Sequence, residues 1–306
     1  MMNKIQKFIL EKVSGLSDFP DGAFNIRVNG GSIRAMSTKN VTISPKEDKS
    51  GIDVTIKPGT RGETIHIPVI ISESGLEELV YNDFHVGANS DVKIIAGCGI
   101  HNSGHQRSQH DGIHTFHLGE NARVVYSEVH YGEGDGNGER ILNPVTNVYL
   151  DAGSYMEIET VQIKGVDSTK RLTWAEVGDN ATLVIKEKLM THGKQFAETT
   201  FEVELNGDNA TANVVSRSVA RDTSNQVFLS KINGNNNCMG HSECDAIIMD
   251  SASVKAIPEI TANHVDAQLI HEAAIGKIAG EQIIKLMTLG LDREEAEAQI
   301  VNGFLK

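Results

Sequence analysis

The sequence predicts a mainly β chain, a β-solenoid body framed by a short N-terminal helix and a C-terminal helical hairpin. Three observations predict it. Aromatic residues make up only 5% of the 306 residues while glycine reaches 29, so small and β-branched side chains must fill the core. One turn-like pattern recurs through the middle of the chain at a near-constant step. Helical periodicity is confined to the two ends.

Residues 1–20 form the first element. Apolar residues at Ile5, Phe8, Ile9, Leu10 and Val13 make one stripe of a short amphipathic helix. This apolar run is too short for a secretory segment, and no small-residue cleavage site follows it.

Residues 21–265 carry the repeat. Its copies are Val86–Val92, Leu118–Val124, Leu150–Met156, Val177–Leu183, Leu205–Thr211 and a worn copy at Met249–Val254. Each combines an aliphatic residue, a Gly/Asp/Asn turn, an Ala or Ser, and then alternating apolar positions. The Ala/Ser positions are 90, 122, 154, 181, 210 and 252, at steps of 32, 32, 27, 29 and 42. Gly, Asn and Asp tolerate positive φ and suit tight turns. The flanks alternate as strands do, as in Val203-Glu204-Leu205. Strands and turns on such a period predict stacked coils. An ordinary two-sheet sandwich with look-alike turns is the alternative. Trp174, the only tryptophan, is expected in the core.

Residues 266–306 read as two helices. Ile275, Ile278, Ile283, Leu286 and Met287 form an apolar stripe at spacings of three and four, and Gly290 suits the helix end. Asp292 and Glu295 then make a capping box for a second helix carrying Ala296, Ile300, Val301 and Phe304. Terminal helices cap solenoids, and an exposed helical pair is also a docking element.

Composition excludes several classes. Lys plus Arg number 28 against 41 Asp plus Glu, a net charge of −13. That balance argues against nucleic-acid and anionic-membrane binding, both of which need a basic face. Cys98, Cys238 and Cys244 are the only cysteines and form no CxxC pair, so neither a disulfide framework nor a four-thiolate zinc site fits. A reducing cytoplasm is the expected compartment. No apolar run is long enough to span a bilayer.

The stretch His271-Glu272-Ala273-Ala274-Ile275-Gly276-Lys277-Ile278, with Glu281-Gln282, Gly290-Leu291, Glu295-Ala296 and Ile300-Val301-Asn302-Gly303-Phe304, resembles the C-terminal signature of the SufB/SufD family of iron–sulfur cluster assembly scaffolds. Upstream, Glu243-Cys244-Asp245-Ala246 resembles that family's Cys-Asp motif, and Pro258-Glu259 follows at nearly the family spacing. The likeness is dense over residues 240–304 and looser from about residue 80. It implies a right-handed parallel β-helix and a non-enzymatic scaffold role. It implies a SufC-type ABC ATPase docked on the C-terminal helices, and pairing of scaffolds through the β-helix as a homodimer or a SufB/SufD-like heterodimer. The chain lacks most of the N-terminal domain and the cysteine-rich N-terminal motif of the long SufB form. It is therefore similar to a short SufB-like subunit, and an iron–sulfur cluster is its implied transient cargo.

Cys244 leads the candidate residues. A thiolate binds cluster iron and accepts persulfide sulfur. Its acidic neighbours Glu243 and Asp245 raise its pKa, which disfavours a free nucleophile more than a metal ligand. The plain alternative is a buried structural thiol. The resemblance pairs Glu272 with Cys244 in cluster formation. His271 and Glu272 follow Cys244 by about one repeat, so one coil brings them level, and carboxylate and imidazole both suit iron. A helix-terminal acid is the competing explanation of Glu272.

Weaker metal candidates are Cys238, read as part of an exposed asparagine loop, His264, and the run His101, His105, His110, His114 and His117, read as a polar loop. His85 and His130 flank that run. Cys98 is expected in the interior. Gly132–Glu139 is glycine-rich but lacks the Lys-Ser/Thr of a phosphate loop, and reads as a mobile turn. A β-helix carbohydrate-active lyase or hydrolase is the competing function; it needs paired carboxylates on consecutive coils.

Overall fold

The computed structural model describes residues 2–306. Helix α1 (Lys4–Ser14) is followed by strands β1 (Ala23–Val28), β2 (Gly31–Met36), β3 (Val41–Pro45), β4 (Gly51–Ile56), β5 (Arg61–Ile71), β6 (Glu77–Val86), β7 (Asp91–His101), β8 (Ser108–Leu118), β9 (Arg123–Glu133) and β10 (Arg140–Leu142). Strands β11 (Val145–Leu150), β12 (Tyr155–Lys164), β13 (Ser168–Val177), β14 (Thr182–Thr191), β15 (Phe196–Leu205), β16 (Ala210–Ala220), β17 (Asn225–Gly234), β18 (Cys238–Ile248), β19 (Ser253–Ala262) and β20 (Gln268–Gly276) complete the body. Helices α2 (Gly280–Met287) and α3 (Arg293–Phe304) end the chain.

The strands stack into two sheets. One runs β2-β1-β5-β7-β9-β12-β14-β16-β18-β20, the other β19-β17-β15-β13-β10-β8-β6-β4-β3, with β11 pairing β8 and β13. All pairings are parallel except the two N-terminal hairpins, β1–β2 and β3–β4. The β-solenoid expected from the repeat is therefore the fold, and each full coil adds one strand to each sheet.

The repeat works through two adjacent positions. Asn89, Asn121, Gly153, Asn180 and Asn209 all take positive φ, between 53° and 68°. Asn and Gly accept that left-handed conformation at least cost. The next residue, Ser90, Ala122, Ser154, Ala181 or Ala210, turns inward and is buried, so only a small side chain fits. Cys238 pairs with Ala210 in register and fills the same slot, 4% exposed. The exposed-loop reading of Cys238 is therefore corrected: it opens β18. The worn copy at Met249–Val254 belongs to the opposite row of turns, between β18 and β19, which explains its irregular step.

Inward positions alternate along the strands of the central coils and close a continuous apolar core, including the stacked pair Phe84–Phe116 at 4.4 Å. Trp174 lies outside that core. It stands on the outer face, edge-on to Tyr149 at 5.3 Å, because its neighbours Thr173 and Ala175 take the inward places.

Helix α1 is capped by a reciprocal Asn3–Gln6 box and ended by Gly15 at φ 70°. It packs Ile9, Leu10 and Val13 onto the outside of the first sheet, against Phe24, Ile26 and Ile70. Gly97 and Gly99 of β7 permit the approach, since a Cβ at Gly97 would meet Val13 and one at Gly99 would meet Ile9. Ile5 and Phe8 of the expected stripe stay exposed.

At the other end the helical reading begins too early. Residues Gln268–Gly276 form β20, paired residue for residue with β18 from Met239–Gln268 to Ile247–Gly276. An unpaired parallel edge recruits that segment more strongly than its short apolar stripe favours a helix. The hairpin thus spans residues 280–304. The Asp292–Glu295 capping box forms as expected, and Gly290 takes φ 99°.

Candidate functional site

The last two strands of the first sheet carry the candidate site. Strand β18 alternates inward Ser242 and Cys244 with outward His241, Glu243 and Asp245. Strand β20 continues the register: Ser242 pairs His271, Glu243 pairs Glu272, and Cys244 pairs Ala273. One coil brings Glu272 to within one register step of Cys244. The side chains part there, because successive residues of a strand face opposite sides. Cys244 is 1% exposed and looks into the solenoid. The Glu272 side chain is 67% exposed and looks out, its Oε2 3.8 Å from His241 Nε2.

His271 shares the inward side with Cys244, and its Nδ1 is buried without a hydrogen-bond partner. Burial, with His241 nearby, lowers its pKa, so the ring is neutral at physiological pH. Burial pushes the Cys244 thiol up to about 12, with the Glu187 and Asp245 carboxylates adding to it. The acidic flank acts as expected through Asp245; the interior Glu187 was not visible from local sequence. At neutral pH the thiol is protonated, and binding a metal there displaces the proton.

The end of the solenoid is open at this point. Strands β19 and β20 are the terminal strands of their sheets. Pro258, Ile260 and Ala262 occupy the same inward register as buried Ser230, Ile232 and Gly234, yet they are exposed. Ala273, opposite Cys244, is exposed as well. Helices α2 and α3 do not cover this opening; with the Ile248–Asp250 turn, Ile283, Arg293 and Glu297 line a groove to one side. Helix α2 buries Ile283 while Ile284, Met287 and the following Leu289 face solvent.

Deeper inside, the middle coils hold a buried polar chain that sequence reasoning missed. Asn82 Nδ2 donates to His114 Nε2 at 3.2 Å, and His114 Nδ1 donates to the Tyr126 hydroxyl at 2.7 Å. That hydroxyl donates to Glu128 Oε1 at 3.1 Å, and Arg171 Nη1 donates to Glu128 Oε2 at 2.6 Å. Arg171 Nε lies 3.9 Å from Glu187 Oε1. Thr199 and Ser216 hydroxyls donate to Glu187 at 2.8 and 2.7 Å. Ser216 is in register with Cys244, so the chain ends beneath the candidate cysteine. Burial works against the Glu128 charge, but His130 and Arg171 outweigh it and hold the carboxyl well below its usual range. The same burial lowers His114 to about 4. Only the 27-to-32-residue coil step could have signalled these neighbours, and it does not say which faces meet.

Only His105 of the histidine run lies in a loop, and the five do not gather at one point. His101 ends β7, while His110, His114 and His117 lie in β8, where strand alternation sends them to different sides. His101 pairs with Glu133 at 3.1 Å, His105 with Asn137 at 2.6 Å and His110 with Glu78 at 3.0 Å. His117 stacks outside between His85 and Tyr149. His110, His114, His130, Glu128 and Cys98 line one small cavity of about 20 Å³, and Cys98 is buried as expected. His264 sits 3.8 Å from Asp266 in the final turn, away from Cys244. Gly132–Glu139 closes β9 and forms the turn before β10, stacked on the Asn102–Gln106 turn of the preceding coil through Gly136 N–H to Asn102 O and Gly138 N–H to Gly104 O. Among the described residues no helix is long and apolar enough to cross a membrane.

Comparison with known proteins agrees with the fold. The profile described as "SUF system FeS cluster assembly, SufBD core domain" matches residues 75–304. A relative in Methanothermobacter thermautotrophicus, named an iron–sulfur cluster assembly SufBD family protein, is 28% identical over 267 residues, covering 84% of this chain and 63% of its own. A protein of the same description in Archaeoglobus fulgidus is 28% identical, covering 85% and 69%. One in Methanocaldococcus jannaschii is 26% identical, covering 89% and 87%. The chain thus spans under two thirds of the first relative and most of the third. With the solenoid body and the matched core together, the chain belongs to the SufBD family of iron–sulfur cluster assembly proteins.

Proposed function

We propose that this chain is a scaffold on which an iron–sulfur cluster is built at the open C-terminal end of the solenoid, with Cys244 as the thiolate donor. The observation that carries the reading is the inward pair Cys244 and His271 beneath an uncapped last coil. A soft thiolate and a neutral imidazole suit cluster iron, and Glu272 adds a hard donor at the rim of the same strand. The cluster is the cargo of the scaffold. A transient cluster suits a thiol that must first lose a firmly held proton.

Two partners follow from the same features. The exposed Ile284, Met287 and Leu289 on and after α2 fit an apolar docking face for a SufC-type ABC ATPase. The exposed inward residues of β19 and the free edges of both terminal strands fit a second scaffold, either another copy or a SufB/SufD-like subunit. The protein works as a non-enzymatic platform in the cytoplasm. The family match gives no support to the carbohydrate-active alternative.

Anaerobic reconstitution with ferrous iron and sulfide tests the site. Cys244→Ser and Glu272→Ala lose the visible charge-transfer absorption, while Cys98→Ser keeps it. A folded Cys244→Ser protein that reconstitutes fully would remove Cys244 from the site. Ile284→Glu with Leu289→Glu abolishes capture of the ATPase and leaves the β circular dichroism intact. Sedimentation of the wild type as monomer only, with and without the ATPase, would remove the paired scaffold.

A further inference from the structure

We propose that His241, Glu243 and Glu272 form a divalent-cation site on the outer face of the sheet, distinct from the inward thiol. One donor atom from each residue lies within 4.8 Å of the other two. His241 and Glu243 are two residues apart on β18, and Glu272 stands directly across from Glu243 on β20. The three therefore share one face by strand geometry and not by chance rotamers.

Two further observations point to a cation. His241 Nδ1–H donates a hydrogen bond to Asn213 Oδ1 at 2.9 Å. That bond leaves the Nε2 lone pair directed toward Glu272, the arrangement in which an outer partner orients a metal-binding imidazole. Neither glutamate has a lysine or arginine partner among the described residues; His241 is the only ion-pair partner of Glu272. Arg217 stands across from Asp245 and acts on Glu243 at longer range, forming an ion pair with neither glutamate. Burial raises the Glu243 pKa, and a hydrogen bond with neighbouring Asp245 adds to it.

One imidazole and two carboxylates make a set of borderline and hard donors that suits first-row divalent ions such as Fe2+, Mn2+, Co2+ and Zn2+. The donors must close to about 3 Å of each other around an ion at metal–ligand distances near 2.1 Å, which exposed glutamate rotamers supply. Three protein donors leave coordination positions open for water or for a further ligand. Cys244 faces the opposite side of the sheet and is not a donor; Glu272 is shared with the proposed cluster site, while His241 and Glu243 are not, so their variants test this site alone.

Co2+ titration of the full chain, followed by calorimetry and visible absorption, tests this. The wild type binds one Co2+ without thiolate-to-cobalt charge transfer, and Cys244→Ser binds it equally well. His241→Ala and Glu243→Gln each weaken binding at least about 10-fold, and Asn213→Ala weakens it about 10-fold through the misoriented ring. Absence of binding at about 1 mM Co2+, a thiolate charge-transfer band, or unchanged affinity in folded His241→Ala or Glu243→Gln would overturn the proposal.

Discussion

Cys244 and Glu272 sit one register step apart on the neighbouring strands β18 and β20, yet they face opposite sides of the sheet. Cys244 lies opposite Ala273 in the interior, and Glu272 lies opposite Glu243 on the surface. A thiolate and a carboxylate so placed reach one metal centre only where the sheet ends. Strand β20 is that end. The same geometry divides the candidate residues into an inward-facing pair, Cys244 and His271, and an outward-facing trio, His241, Glu243 and Glu272.

Arg171→Met should be strongly destabilising. It leaves Glu128 and Glu187 buried without their guanidinium. Breaking a buried pair in this way costs about 3–5 kcal/mol. Adding Glu128→Gln and Glu187→Gln should recover much of the loss, as measured by denaturant midpoints.

Gly99→Ala should loosen helix α1, because the new methyl group meets Ile9. Overpacking of this kind costs about 1–3 kcal/mol. Ile9→Ala in the same chain relieves the clash, so the double mutant should be more stable than the sum of the singles predicts. Thermal melts of the four proteins check this.

Asn209 holds φ at 55° in the turn before β16. Asn209→Gly should be close to neutral. Asn209→Val should cost about 1–2 kcal/mol, since a branched Cβ crowds the carbonyl in the left-handed region. Equal stability of the two variants would show that the turn conformation is not what selects asparagine.

Acid should unfold the protein partly through His114. Its folded pKa is lowered from 6.5 to about 4 by burial. Between those values the unfolded chain binds the proton and the folded chain does not, so stability falls as pH drops through that window. The full effect is about 3 kcal/mol. Glu128, also held low, contributes in the same direction at still lower pH. His114→Gln should flatten the stability curve between pH 6.5 and 4.

Much of the fold was legible because its rules are local. The left-handed turn demands Asn or Gly, and the next position demands a small inward residue, so the coil period shows in single residues. The capping box at Asp292–Glu295 reads the same way. Cys238 escaped because cysteine fills an Ala/Ser slot without resembling it. Residues 268–276 escaped because their apolar spacing fits a helix over a short run, while the edge of β18 offers them a full set of backbone hydrogen bonds.

The sequence alone therefore determined the solenoid, its end helices, the family likeness and the identity of Cys244, His271 and Glu272 as candidates. Tertiary structure alone decided which way each of them faces, what surrounds Cys98 and Cys244, and that His241 and Glu243 join Glu272. The physical reason is the two-residue period of a strand: shifting the register between coils by one residue exchanges inside for outside. That register is set by pairing between segments 27 to 32 residues apart, not by any residue's immediate neighbours.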